Sequence, residues 1–317
     1  MTTILALRAL GLGDALTGVP ALRGLRRRWP GAELVLAASP GVGDWLRSLG
    51  VVDRVLPTAG LEPLAWAGPP PDVAVNLHGR GPQSHRLLTA LRPGAVVAFD
   101  CPEAGVTGPR WLPDEHEVDR WVRLVRSVGA TCSPDDLRLD PAAGTARHGH
   151  VVLHPGAAAG SRRWPVERWA ELASELLARG RRVVVTGTAA EQGLCATVAQ
   201  SGGENRCGAD DLASLSTLVA SAALLVCGDT GVAHLATAHG TPSVLLFGPV
   251  APALWGPRVD LHLHRVLWSS RATDPTGDPH GDAPDLRLLR TTVGQVLEAA
   301  DELLEEARLS RPRAPAS

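Results

Sequence analysis

The chain has 317 residues, enough for two domains, with 31 basic residues (every one an arginine) against 33 acidic ones and a formal net charge of −2. No bulk field attracts nucleic acid, and without lysine both Schiff-base chemistry and a P-loop are excluded. Five cysteines, Cys101, Cys132, Cys195, Cys207 and Cys227, show no C-x-x-C spacing, which argues against a zinc ribbon or disulfide framework and for a reducing compartment.

The opening MTTILALRALGLGDAL has no basic leader and meets Asp14 early, so it reads as a buried strand and turn. Short apolar runs predict strands at Thr3–Leu7, Glu33–Ala37, Val73–Asn76 and Ala95–Phe99, then at Val151–His154, Arg182–Thr186, Leu224–Cys227 and Ser243–Phe247. Between them, helical periodicity covers Ala15–Arg28, Gln83–Leu91, Glu115–Gly129, Pro165–Arg179, Ala190–Ser201, Leu212–Ala220 and His234–Ala238. This alternation is the mark of parallel sheets covered by helices on both faces. The small, polar segment Asp140–His150 is the expected boundary, giving domains 1–145 and 146–317. Ser269–Pro284 is turn-rich and irregular, and Leu288–Leu309 is an acidic amphipathic helix able to pack on either domain. No apolar run reaches about 18 residues, so a cytoplasmic protein without a transmembrane segment is expected.

Ligands of open parallel sheets sit beyond the carboxyl ends of the strands, so two facing sheets would make one cleft with a wall from each. On the first wall, Gly11-Leu12-Gly13-Asp14 begins a G-x-G pattern, but Leu16 occupies the third small position and Asp14 would repel a pyrophosphate. Nicotinamide binding is therefore disfavoured. A carboxylate on a tight glycine turn can act as a general base, while the residues alone favour Asp14 as a cap of the helix behind it. Further along, His78, Arg80 and Arg86 stand around a strand end where a polar acceptor could be held, although a solvated loop explains each of them equally well.

The second wall offers an anion site. In HPGAAAGSRRWPVERW, small-residue loop amides, Ser161, Arg162 and Arg163 precede a helix opened by Pro165. In GDTGVAHLATAHG, Asp229, Thr230, Gly231 and Val232 form a turn after a strand, with His234 in the following helix; the plain alternative is a capped tight turn. Glu191 follows a strand where acidic residues accept ribose hydroxyls in nucleotide folds. His262 and His264 have no third ligand nearby, and no D-x-D clamp or G-x-S-x-G elbow occurs.

CGDTGVAHLATAHGTPSVLLFGP, LGLGDALTGVPALRGLRRRWPGAEL, SRRWPVERWAEL and DEHEVDRWVRLVRSVG together resemble glycosyltransferase family 9, the heptosyltransferase-like enzymes. The resemblance runs from Ile4 to about Pro249 and implies a GT-B fold of two Rossmann-like domains facing across a cleft, acceptor on the first and nucleotide-sugar on the second. It implies inverting, metal-independent transfer with no cofactor, from an ADP-heptose-like donor to a glycan or small-molecule acceptor. Asp14 falls on the family's general base, beside Gly13; Arg162 stands where relatives commonly carry a phosphate-binding lysine. Glu191 falls on a ribose-binding glutamate and His234 on the histidine of D-T-G-x-x-H, which makes Ser161, Arg163, Asp229, Thr230, Gly231 and Val232 donor contacts. The chain departs from some relatives at Ala157 and Ala158, where they have threonines. Peripheral membrane association stays open, as do two other readings: a non-catalytic nucleotide-sugar-binding protein, and a sugar-nucleotide epimerase or hydrolase.

Overall fold

A computed structural model describes residues 2–139 and 149–309. The chain divides into two units, 1–137 and 138–317. The expected boundary within 140–150 lies almost wholly outside the described residues.

The first unit contains, in order, β1 (Thr3–Leu7), α1 (Leu12–Thr17), α2 (Val19–Arg28), β2 (Glu33–Ala38), α3 (Pro40–Ser48), β3 (Arg54–Pro57), β4 (Val73–Asn76), α4 (Gln83–Thr89), β5 (Ala95–Val97) and α5 (Glu117–Arg126). Runs such as TILAL and ELVLAA carry almost no polar residue because both faces of each strand are covered. Every pairing is parallel, with Leu5 opposite Val35 on one side and Ala74 on the other. The strand order is β3-β2-β1-β4-β5, so the chain reverses direction across the sheet between β1 and β4.

The second unit contains β6 (His150–His154), α6 (Val166–Ala178), β7 (Arg182–Val185), α7 (Gln192–Ala199), β8 (Glu204–Asn205), α8 (Leu212–Ala220), β9 (Leu224–Gly228), α9 (Gly231–His239), β10 (Ser243–Leu246), α10 (Pro252–Trp255), β11 (His264–Leu267), α11 (Leu286–Arg290) and α12 (Val293–Leu309). Its order, β11-β10-β9-β6-β7-β8, reverses between β6 and β9. Val296, Leu297, Ala300 and Leu303 of α12 join Trp169, Leu172 and Leu176 of α6 in the core of this unit, so the C-terminal helix packs on the second domain. Trp169 is fully buried, edge-on to Trp164 with ring centroids 5.2 Å apart. The chain thus has the GT-B class of fold, two Rossmann-like parallel sheets.

Several sequence expectations change. The helix expected over Ala15–Arg28 is two helices that begin at Leu12 and break at Gly18, followed by Pro20 in the first turn of α2. The strands β3, β8 and β11 and the helix α3 lie where no element was expected.

Candidate active site

In an open parallel sheet, the loops leaving two neighbouring strands in opposite directions open a crevice beyond their carboxyl ends. The switch points therefore select four loops: those after β1 and β4 in the first unit, and those after β6 and β9 in the second. All four carry residues singled out from the sequence.

In the first unit, β1 runs into Arg8 and then the glycine turn. Gly11 occupies the N-cap of α1 with extended backbone, and Asp14 is the third residue of the helix, one-third exposed at its side chain. Asp14 is therefore not the cap of the following helix: no side chain caps α1, and the carboxylate sits inside the first turn, where the helix dipole favours negative charge. Beneath it lies Arg8, 1% exposed. Its Nε donates to the Asp14 carbonyl oxygen, and its terminal nitrogens donate to the Leu77 carbonyl, to Thr17 Oγ1 at 2.8 Å and to Glu117 Oε1 at 3.2 Å. One terminal nitrogen is also 3.8 Å from Asp14 Oδ1. Glu117 is held in turn by Arg120 at 3.0 Å and Trp121 Nε1 at 2.8 Å, and the Arg8 guanidinium lies over the Trp121 ring.

The loop after β4 is pinned by Asn76, which is fully buried. Its Nδ2 donates to the Gly79 carbonyl and to Ser84 Oγ and lies 3.0 Å from His85 Nδ1, while its Oδ1 accepts from the His78 amide. His85 Nε2 lies 2.8 Å from the Phe99 carbonyl, so Nε2 carries a proton and donates. Gly81 has φ +80°, and a Cβ there would lie 2.3 Å from His85 Nδ1, so only glycine fits. The loop presents His78, half-buried, with Nδ1 buried and unpaired in the described structure. Burial, and then the nearby Arg8 charge, lowers the His78 pKa to about 4, so it offers a neutral ring. Arg80 is exposed, and Arg86 already donates to the Glu103 carbonyl at 2.9 Å.

In the second unit, the loop after β6 carries Arg162 with one terminal nitrogen 3.6 Å from Asp229 Oδ2 of the loop after β9. Asp229 is buried and its amide donates to the Leu246 carbonyl, which fixes the turn against β10. Thr230 follows as the N-cap of α9, yet its hydroxyl does not cap the helix; it is buried beside the Cys227 thiol without a hydrogen bond of normal geometry. The amides of Gly231 and Val232 belong to the first helical turn, whose N–H groups lack intrahelical acceptors, whereas the Ala233 amide already donates to the Thr230 carbonyl at 3.1 Å. His234 is buried in α9 with its ring edge-on to Trp255, centroids 6.0 Å apart. The Arg162 guanidinium, the Thr230 hydroxyl and the amides that open α9 thus stand on the two loops of the switch point, residue types that suit a diphosphate.

Three expected donor contacts have structural employment. Glu191 Oε2 accepts from the Thr188 amide at 2.8 Å and its hydroxyl at 2.9 Å, a reciprocal capping box, while Oε1 faces Gly156. Arg163 is exposed and turns its Nε to the Ala157 carbonyl. Ser161 is buried, with its amide and carbonyl bonded to Gly281 and Asp285. Sequence reasoning missed Arg8 in the first unit and gave His154 of the second no role of its own. The signal for Arg8 was a single cation directly after an apolar strand and before a glycine turn. His154 ends β6, buried, with Nδ1 3.0 Å from Thr186 Oγ1; burial lowers its pKa to about 4. Among the described residues, no group of three or more His, Cys, Asp or Glu side chains is placed to hold a metal ion, and no helix is long and apolar enough to cross a membrane.

A family model described as glycosyltransferase family 9 (heptosyltransferase) matches residues 118–275. Lipopolysaccharide heptosyltransferase 2 of Escherichia coli K12 is 33% identical over 166 residues, 48% of this chain and 47% of that protein. Lipopolysaccharide heptosyltransferase 1 of Pseudomonas aeruginosa is 36% identical over 118 residues, 36% of this chain and 33% of that one. The chain matches about half the length of such curated relatives or less. Among solved structures, a family 9 glycosyl transferase from Veillonella parvula superposes with a TM-score of 0.80 at 19% identity, covering 96% of this chain and 98% of that one. ADP-heptose lipopolysaccharide heptosyltransferase II of E. coli gives 0.78 at 22% identity, covering 97% and 100%. These two likenesses carry the fold.

Proposed function

Because this chain belongs to glycosyltransferase family 9, we propose that it transfers a sugar, heptose or a close relative, from an ADP-type nucleotide-sugar to an acceptor hydroxyl. The acceptor oxygen forms a bond to the anomeric carbon as the bond from that carbon to the diphosphate oxygen breaks. Asp14 takes the acceptor proton, and the nucleoside diphosphate leaves with the bonding electron pair. Attack opposite the leaving group inverts the anomeric configuration.

The charge that develops on the diphosphate is met by Arg162, the Thr230 hydroxyl and the amides that open α9, fixed donors that need no reorganisation during the reaction. No divalent metal enters this scheme, so turnover is expected to be unchanged by EDTA. Gly13 and His78 line the acceptor side, His78 as a neutral hydrogen-bonding ring; Arg86 joins only by exchanging its bond to Glu103. Gly231 and Val232 act through their amides, the Val232 side chain being buried.

The observation that carries the reading is the Arg162–Asp229 pair beside Thr230 at the start of α9, at the β6/β9 switch point. A carboxylate braced on the first unit's glycine turn favours a transferase over a binding module, which has no use for one. Binding of ADP-, GDP- and UDP-sugars ranks the donors. ADP release from ADP-heptose, with truncated lipopolysaccharide or water as acceptor, then compares wild type with Asp14→Asn. Transfer should fall by about 10³-fold with ADP affinity within two-fold, in the range of general-base loss. Wild-type turnover by a folded Asp14→Asn variant removes the base assignment.

A further inference from the structure

We propose that Arg8 is the positioning residue for Asp14: a buried guanidinium that locks the glycine turn through its main chain and aims the carboxylate. This rests on Asp14 being the general base. The support is geometric. Arg8 acts on Asp14 twice, through Nε to its carbonyl oxygen and through a terminal nitrogen 3.8 Å from Oδ1. The same fork donates to the Leu77 carbonyl, so one rigid group ties the loop after β1 to the loop after β4, the two sides of the switch point. A planar five-donor fork suits this task, and a single ammonium does not.

Burying a guanidinium is costly unless it is paired. Here the pairing comes from Glu117 on α5, with Thr17 Oγ1 and the Trp121 ring completing the enclosure. Charged or titratable groups around Arg8 include Glu117 of α5, itself paired with Arg120, and His78 after β4, whose pKa the Arg8 charge helps to lower. Glu117 has two further partners of its own, Arg120 and Trp121, so the α5 acid does not need Arg8 in order to be satisfied. Space has also been cleared for the arginine: a Cβ on Gly18 would lie 2.7 Å from Arg8 Cδ and 3.0 Å from Nε. The break between α1 and α2 thus falls where Arg8 passes beneath the helix. A sheet that needed only a filled core would place an aliphatic residue at position 8.

The test follows ADP release from ADP-heptose with water as the acceptor. Arg8→Met should lower kcat by about 100-fold, the scale expected when a reacting group is misplaced by about 1 Å, with KM for the donor and ADP affinity within two-fold of wild type. In an Asp14→Asn background the same substitution should change kcat by less than two-fold, because Arg8 acts through Asp14. Circular dichroism and thermal unfolding establish that each variant is folded. If Arg8→Met does not fold, Arg8→Lys carries the test: it keeps the charge against Glu117 but not the fork, and kcat should drop at least ten-fold at unchanged donor KM.

Wild-type kcat in folded Arg8→Met, or in Arg8→Lys where Met fails to fold, overturns the proposal. So does a full 100-fold further loss in the Asp14→Asn background, which would show a role independent of Asp14. Activity retained by Asp14→Asn alone would instead remove the general-base reading, so the two failures are told apart.

Discussion

Arg162→Ala probes whether an arginine can do at the proposed diphosphate site what lysine does elsewhere. The guanidinium side chain is 29% exposed and one nitrogen lies 3.6 Å from Asp229 Oδ2, so part of its field is already opposed by a carboxylate before any nucleotide binds. A hydrogen bond to a charged group contributes about 1.5–3 kcal/mol, and the Asp229 pairing places Arg162 toward the lower half of that range. ADP affinity should therefore fall about 10- to 30-fold in Arg162→Ala. Adenosine, which lacks the phosphates, should bind both proteins alike, and this isolates the effect from any general loosening of the loop. Calorimetric titration with ADP and adenosine at fixed ionic strength reads both quantities. Arg162→Lys should recover part of the ADP affinity, since it keeps the charge while losing the bidentate geometry. Equal ADP affinity in wild type and Arg162→Ala, within two-fold, refutes the assignment. Parallel losses for ADP and adenosine would instead make Arg162 a structural brace for Asp229.

Gly156→Ala should act through Glu191. The added Cβ would lie 2.1 Å from Glu191 Oε1, so the carboxylate must leave its capping box with Thr188, at a cost of about 1 kcal/mol. A lower Tm and a several-fold weaker ADP complex are expected; thermal unfolding and ADP titration unchanged from wild type would sink the link between this loop and the ribose. Stability should also depend on pH through buried histidines. His154 and His264 each have a folded pKa lowered to about 4, mainly by burial, so the unfolded chain takes up protons that the native chain refuses. Their contribution is present above the unfolded value of about 6.5 and is lost as pH falls toward 4, roughly 1–2 kcal/mol each by pH 5. Urea unfolding at pH 7 and pH 5 checks this, and equal free energies would contradict it.

The sequence by itself determined the two-sheet α/β class, eight of the strands and the glycine turn, because these are local matters. Continuous apolar runs bury on both faces, and period-3.6 stretches between them leave few alternatives. It also located the loops that hold Asp14, Arg162 and Asp229, since strand-end loops follow from strand positions. β8 and β11 escaped notice because two to four residues held by pairing to a neighbour need no strong pattern of their own. Two assignments turned on tertiary geometry. On its local residues Asp14 read as a helix cap, the resemblance already placed it on the general base, and the cap reading falls because the helix begins at Leu12 with Gly11 at the cap position. Glu191 reads as a ribose ligand, and the fold adds that one of its oxygens is held by the Thr188 amide and hydroxyl. Arg8 is the plainest case. Its partners Leu77 and Glu117 lie 69 and 109 residues away along the chain, and no local pattern announces which distant carbonyl and carboxylate will meet a cation. A net charge near zero and a lysine-free composition said where charge would be scarce; only the folded chain decided that one arginine would be buried beneath Asp14 and another set beside Asp229. Burial makes a charge consequential, and burial is set by the packing of the whole unit.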